Sequence, residues 1–80
     1  MYKIQETTTR NGEVKITMLF KKEYRSIVRA RHDAWGRART MAVCNRIKLP
    51  TTMDANHFLV EGVDIGGRWR VDYEVVTIEK

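Results

Sequence analysis

"KKEYRSIVRARHDAWGRARTMAV", Lys21 to Val43, is the one stretch of this chain with a clear helical period, and every other element has to be arranged around it. At about 100° per residue, Tyr24, Ile27, Val28, Ala30, Ala34, Trp35, Ala38, Met41 and Ala42 fall within an arc of roughly 160°, wide enough for a helix lying on a sheet. The spacing predicts a helix from Lys22 to about Val43, roughly 30 Å long at about 1.5 Å per residue. Gly36 falls on the solvent side, where it weakens the helix by about 1 kcal/mol relative to Ala. Asn45 is a natural end signal, and Pro50 opposes continuation.

Strand patterns lie on both sides of this helix. Tyr2 to Thr9 and Val14 to Phe20 are rich in β-branched residues and flank Arg10-Asn11-Gly12, a hairpin signal. Side-chain parity favours a three-residue loop with Gly12 in the left-handed region, which sets Ile4 opposite Met18 and Tyr2 opposite Phe20. The core face then reads Tyr2, Ile4, Glu6, Thr8, Val14, Ile16, Met18 and Phe20, with Glu6 as its awkward member. Thr51 to His57 is polar and turn-like, suited to a single helical turn capped by Thr52, and Asp54 and His57 suit capping or turning this loop.

Phe58 to Ile65 and Arg68 to Ile78 flank Gly66-Gly67, a second hairpin in which Phe58, Val60 and Gly62 share a face with Trp69, Val71, Tyr73 and Val75. The Val75-Val76 doublet marks a bulge or a change of exposure. The expected fold is α+β, a single domain over residues 1–80 in the order ββαββ, with a four-stranded antiparallel sheet and one basic amphipathic helix on one face.

Charge is the most uneven property of the chain. Its 80 residues carry a net charge of +5, yet Lys21 to Lys48 holds nine Lys and Arg against Glu23 and Asp33 alone. The remainder has six basic and eight acidic residues. All the excess positive charge therefore belongs to the helical third, and such polarity suits an anionic partner. On the helix wheel Arg25, Arg29, His32 and Arg39 fall within about 80° of one another, with Lys22, Arg37 and Arg46 flanking them. A face serving only solubility usually interleaves both signs, whereas here Arg25 and Arg29 are like charges four apart. The expected binding set is Arg25, Arg29, Arg37 and Arg39, supported by Lys22 and His32. Arg31 is separate: it falls inside the apolar arc, where an ion pair with Glu6 beneath the helix is expected.

Little in the sequence points to catalysis. No HxxxH, HExxH or CxxC spacing gathers metal ligands, and there is no Gly-rich phosphate loop or GxSxG. Cys44 is the one cysteine, which rules out an internal disulfide, and it reads as a small buried or half-buried hydrophobe. No apolar run reaches the roughly 18 residues of a membrane span, and the N-terminus lacks a signal-peptide layout. The expectation is a soluble, cytoplasmic, non-enzymatic protein without metal, cofactor, small-molecule substrate or membrane attachment. The outward sheet face, Lys3, Gln5, Thr7, Thr9, Lys15 and Thr17, has no aromatic platform for bases, so nucleic-acid contact would be backbone-directed and weakly specific. In the second hairpin, acidic Glu61, Asp64, Asp72 and Glu74 beside Trp69 and Ile65 suggest a protein contact, although Trp69 more often serves a core.

In size, charge and element order the chain resembles the small phage-encoded viral proteins that disable host machinery, anti-CRISPR proteins among them. The resemblance implies a stoichiometric inhibitor whose partner is a protein or ribonucleoprotein complex that handles nucleic acid. The alternative is an independent, weakly sequence-specific DNA- or RNA-binding domain. In both, the basic helix face makes the contact, with phosphates or with acidic side chains.

Overall fold

A computed structural model describes residues 1–79. The elements run β1 (Tyr2–Arg10), β2 (Glu13–Leu19), α1 (Ile27–Cys44), β3 (Thr51–Asp54), β4 (His57–Asp64) and β5 (Gly67–Thr77). All five strands join one antiparallel sheet in the order β2-β1-β5-β4-β3, with the helix across one face. The α+β class matches expectation, and the strand count is five rather than four. The additional strand is β3, where a helical turn was expected: Thr51 and Thr52 pair with Leu59 and Phe58. Asp54 Oδ1 accepts the Asn56 N–H at 2.7 Å and closes the turn into β4.

Both hairpins shift their expected registers by two, and their residues keep the expected faces except Val14, expected on the core face, which lies opposite Thr9 on the open one. In the first, Asn11 (φ 51°) and Gly12 (φ 80°) form a two-residue turn, with Arg10 opposite Glu13. The extra residue is Lys15, bulged from β2 between Val14 and Ile16, so Glu6 faces Met18 and Thr8 faces Ile16. In the second, Asp64 pairs with Gly67 (φ 110°) around Ile65-Gly66, and Phe58 faces Tyr73. The Val75-Val76 doublet is a change of exposure without a bulge: Val75 is buried, while Val76 is half-buried in an unbroken register with β1. The two turns lock together. Asn11 Oδ1 accepts the Arg68 N–H at 3.0 Å, its Nδ2 donates to the Gly66 carbonyl at 3.1 Å, and Arg10 forks onto Asp64 at 2.7 and 3.0 Å.

The helix starts five residues later than its hydrophobic pattern suggests. Tyr24 forms a reciprocal pair of 2.8 Å backbone bonds with Tyr2, which holds the preceding chain extended against β1. Ser26 then caps the helix, its Oγ accepting the Arg29 N–H at 3.3 Å, and Asn45 ends it by donating to the Met41 carbonyl. The core stripe is Ala30, Ala34, Ala38 and Ala42, all fully buried at i+4 spacing. These small side chains let the helix lie close to Ile4, Phe58, Val60, Val71, Tyr73 and Val75, so the sheet supplies the core's volume. Trp35 meets Phe58 edge-on at 5.7 Å between ring centroids, on the β4 flank. Val28, placed in the apolar arc by its period, is 68% exposed.

Candidate nucleic-acid interface

The expected ion pair beneath the helix is absent, and its two members have other partners. Arg31 lies on the β4 flank, where its Nε donates to Asn56 Oδ1 at 2.6 Å. Glu6 lies on β1, separated from β4 by β5, and accepts a hydrogen bond from the Tyr73 hydroxyl. Burial, then this bond, push the Tyr73 phenol well above its ordinary range. The alanine stripe runs between the two flanks, so no rotamer of Arg31 reaches Glu6 without crossing the helix–sheet contact.

The six residues of the expected binding set are exposed but occupy different settings. Lys22 and Arg25 belong to the extended segment before the helix, not to the helix face. Lys22 Nζ lies 3.8 Å from Asp33 Oδ2 and 5.1 Å from the centroid of the Tyr24 ring, and His32 Nδ1 lies 3.7 Å from Asp33 Oδ1. Asp33 is held below its usual carboxylate range chiefly by the Tyr24 hydroxyl, against a burial effect, with Lys22 and His32 adding to the depression. Arg37 lies flat over Phe20, with Cζ 4.0 Å from the ring centroid. Arg29 in the first helical turn and Arg39 near the last project into solvent. Arg25, Arg29 and Arg39 have no carboxylate within 4.0 Å among the described residues. Arg37 and Arg39 are separated by roughly 160° around the helix, so the arginines wrap its outer side without forming one compact patch.

On the β1 and β2 side of the helix, an open groove of about 680 Å³ is lined by Arg37, Thr40, Met41, Cys44 and Tyr73. Cys44, expected as a buried or half-buried hydrophobe, stands exposed at its lip. Geometry explains the opening: a helix about 10 Å across spans roughly two strands spaced about 4.8 Å apart, and this one packs chiefly over β5 and β4.

The other face of the sheet holds a cluster that the sequence did not announce. Asp72, only 6% exposed, accepts from Arg70 Nε and Nη2 at 3.0 and 2.8 Å and from His57 Nε2 at 2.6 Å. An ionised carboxylate only accepts, so this contact places a proton on His57 Nε2. Burial pushes the Asp72 carboxyl upward, but Arg70 and His57 outweigh it and hold it below the usual range. The alternation Arg68, Arg70, Asp72, Glu74 on one strand was the available signal; the opposition of His57 across β4 appears only with the register. Trp69 is half-buried over Gly62, where a Cβ would collide with its indole, and Ile65 is fully exposed at the turn.

Among the described residues no group of three or more His, Cys, Asp and Glu converges as metal ligands would, and no helix is long and apolar enough to cross a membrane. Comparison with protein families, with curated proteins and with solved structures returns no match to this chain.

Proposed function

We propose that this chain is a non-enzymatic binding protein that engages a nucleic-acid-handling complex, by gripping its nucleic acid, through the cations of the helix side. The observation that supports this reading is the uneven pairing of charge. Arg10, Lys15 and Arg70, three of the five cations on the sheet, each hold a carboxylate, whereas on the helix side Lys22 alone does and Arg25, Arg29 and Arg39 hold none among the described residues. Helix stability does not account for them. The first turn contains no acidic residue, and Arg29 there opposes the helix dipole at a cost of about 0.3–1 kcal/mol. A binder that displaces nucleic acid by mimicry has to be acidic. A basic one grips phosphates or acidic side chains, which fits the anti-CRISPR type of inhibitor that traps nucleic acid on a ribonucleoprotein.

The test is a titration with short double- and single-stranded DNA and RNA at several salt concentrations. Three to four phosphate contacts give a slope of log affinity against log salt of about −3 on duplex DNA. Changing Arg25, Arg29, Arg37 and Arg39 together to Glu should abolish binding. Absence of binding to all four nucleic acids at low salt would overturn the proposal.

A further inference from the structure

We infer that the nucleic acid gripped by this chain is duplex DNA, with α1 lying along the major groove and an arginine row on each flank of the helix taking the phosphates of one strand. The inference rests on the binding reading above and deepens it, by naming the nucleic acid and by adding Arg31 to the contact set.

The buried alanines fix where every other residue of α1 stands. Ala30, Ala34, Ala38 and Ala42 face the sheet, so the residues two positions before each, about 200° around the helix, run along its outermost line. With one more turn at the C-terminal end, that ridge is Val28, His32, Gly36, Thr40 and Cys44, all exposed. The outermost line of an amphipathic helix is ordinarily its charged one, yet this ridge holds no Lys, Arg, Asp or Glu.

The arginines stand on the two flanks instead. On the β1 and β2 side are Arg29 and Arg37, eight residues apart. Burial, then Asp33, push the Tyr24 phenol up, and Arg37 and Arg29 both oppose the rise, which places the two on one side of the helix. On the β4 side are Arg31 and Arg39, also eight apart, in the row of Trp35, which meets Phe58. In each row the two arginines lie about 12 Å apart along the axis. None of the four has a carboxylate within 4.0 Å among the described residues, and Arg31 gives only its Nε to Asn56. Asp33 shares the first flank, but it is half-buried and engaged by the Tyr24 hydroxyl and Lys22.

Two cation rows on opposite flanks of one helix call for two lines of phosphate. The major groove of B-form DNA, about 12 Å wide and 8.5 Å deep, admits a helix and has a phosphate backbone at each lip. α1 is about 10 Å across and stands on one face of the sheet, so it enters before the sheet meets the backbones. The uncharged ridge then supplies clearance, and the flanks supply the contacts. Duplex RNA closes this route, because its major groove is deep and narrow. A single strand offers one line of phosphates and favours stacking platforms, whereas α1 exposes no Phe, Tyr or Trp.

Titration of the full chain with duplex DNA, duplex RNA and single-stranded DNA of equal length, at one low salt concentration, tests the inference. Duplex DNA should bind at least about tenfold more tightly than the other two, since it alone sets two lines of phosphate at the spacing of a helix. The same duplex carrying glucosylated hydroxymethylcytosine keeps every phosphate but fills the major groove with sugar, and should bind about tenfold more weakly than the plain one. Arg31→Gln removes a charge from the β4 flank while keeping an N–H donor for Asn56. With its circular dichroism unchanged, it should reduce the salt slope on duplex DNA by about one. Failure of every nucleic acid to bind would overturn this inference together with the binding reading. Equal affinity for duplex RNA or the single strand, equal affinity for the glucosylated duplex, or an unchanged slope for folded Arg31→Gln would overturn the groove and leave helix-side binding standing.

Discussion

On the helix side of this molecule Arg25, Arg29 and Arg39 stand exposed with no carboxylate within 4.0 Å among the described residues, while on the open face of the sheet Arg70 and His57 both close on Asp72 within 3.0 Å. Both regions are polar and both are rich in arginine, so composition alone does not separate them. The sheet cluster contributes to the fold, because its charges lower each other's energy in the folded chain. The helix-side cations add almost nothing to folding and remain available to a partner. If this contrast is right, substitutions in the two regions should divide cleanly between stability and binding.

The largest effect is expected at neither charged region but at the layer between them, and a single strand provides the control. Ile4 is completely buried under the helix, whereas its neighbour Gln5 points to the open face opposite Glu74. Ile4→Ala should cost about 2–5 kcal/mol in urea unfolding, from lost transfer energy and a residual cavity. Gln5→Ala should stay within about 0.5 kcal/mol. Similar costs for both would mean that the open face is covered.

Next in size is Asp72. Its folded carboxyl titrates below the ordinary range, so the stability it contributes is present above about pH 4, near the unfolded value, and is lost as pH falls through the lower folded value. Asp72→Asn should cost about 1–3 kcal/mol at pH 7, because it removes the charge and sets an amide donor against one of the donors, Arg70 or His57, that the carboxylate now accepts from. The penalty should shrink at pH 3, below the ordinary carboxylate value, where protonation of Asp72 in the unfolded chain takes away part of the stability it contributes. Urea curves for both proteins at the two pH values check the sign. An unchanged penalty at low pH would show that the cluster acts by packing and not by charge.

How much of this was legible in the sequence depends on the kind of pattern involved. Alternation along a strand has period two, so it assigned faces correctly in both hairpins except at Val14, beyond the Lys15 bulge, and fixed register only to within steps of two. The bulge at Lys15 and the turn at Ile65-Gly66, not the hydrophobic pattern, chose between the remaining alternatives. The helix start was misplaced because Tyr24 is apolar at a helical spacing for another reason, its pairing with Tyr2. β3 escaped because Thr51-Thr52-Met53 is short and exposed, with no buried face to give it a period. Arg31 was recognised as a half-buried cation, and its partner was misassigned because the sequence does not say which strand lies under which helix flank. The exposed arginines were legible one by one, whereas their separation from the ion-paired sheet required the strand order.

Gly36 offers a smaller effect of opposite sign. It lies mid-helix on the outer side, and a Cβ built there meets nothing within 4 Å. Gly36→Ala should therefore stabilise the chain by about 0.8–1 kcal/mol through helix propensity, read as a higher denaturant midpoint at unchanged slope. Because it leaves every arginine in place, it should not alter nucleic-acid affinity. A loss of affinity would place a ligand on that stretch of helix and extend the contact region beyond the arginines.

The smallest stability effects fall on the arginines themselves, and here the comparison can be sharpened within one helix. Arg29 and Arg39 have no carboxylate within 4.0 Å among the described residues, and Arg29 opposes the helix dipole, so Arg29→Ala should leave stability within about 0.5 kcal/mol of the unmodified chain or raise it slightly. Arg37 instead lies 4.0 Å over the Phe20 ring and shields it, so Arg37→Ala should cost about 0.5–1 kcal/mol. For binding the order should reverse: Arg29→Ala and Arg39→Ala each reduce the salt slope by about one, as expected for one lost phosphate contact, while Arg37→Ala changes it less. Equal slope losses at all three would mean that Arg37 leaves Phe20 when the ligand arrives. In that event the groove beside β2 belongs to the binding surface, and cation–aromatic stacking is the resting position of a contact residue.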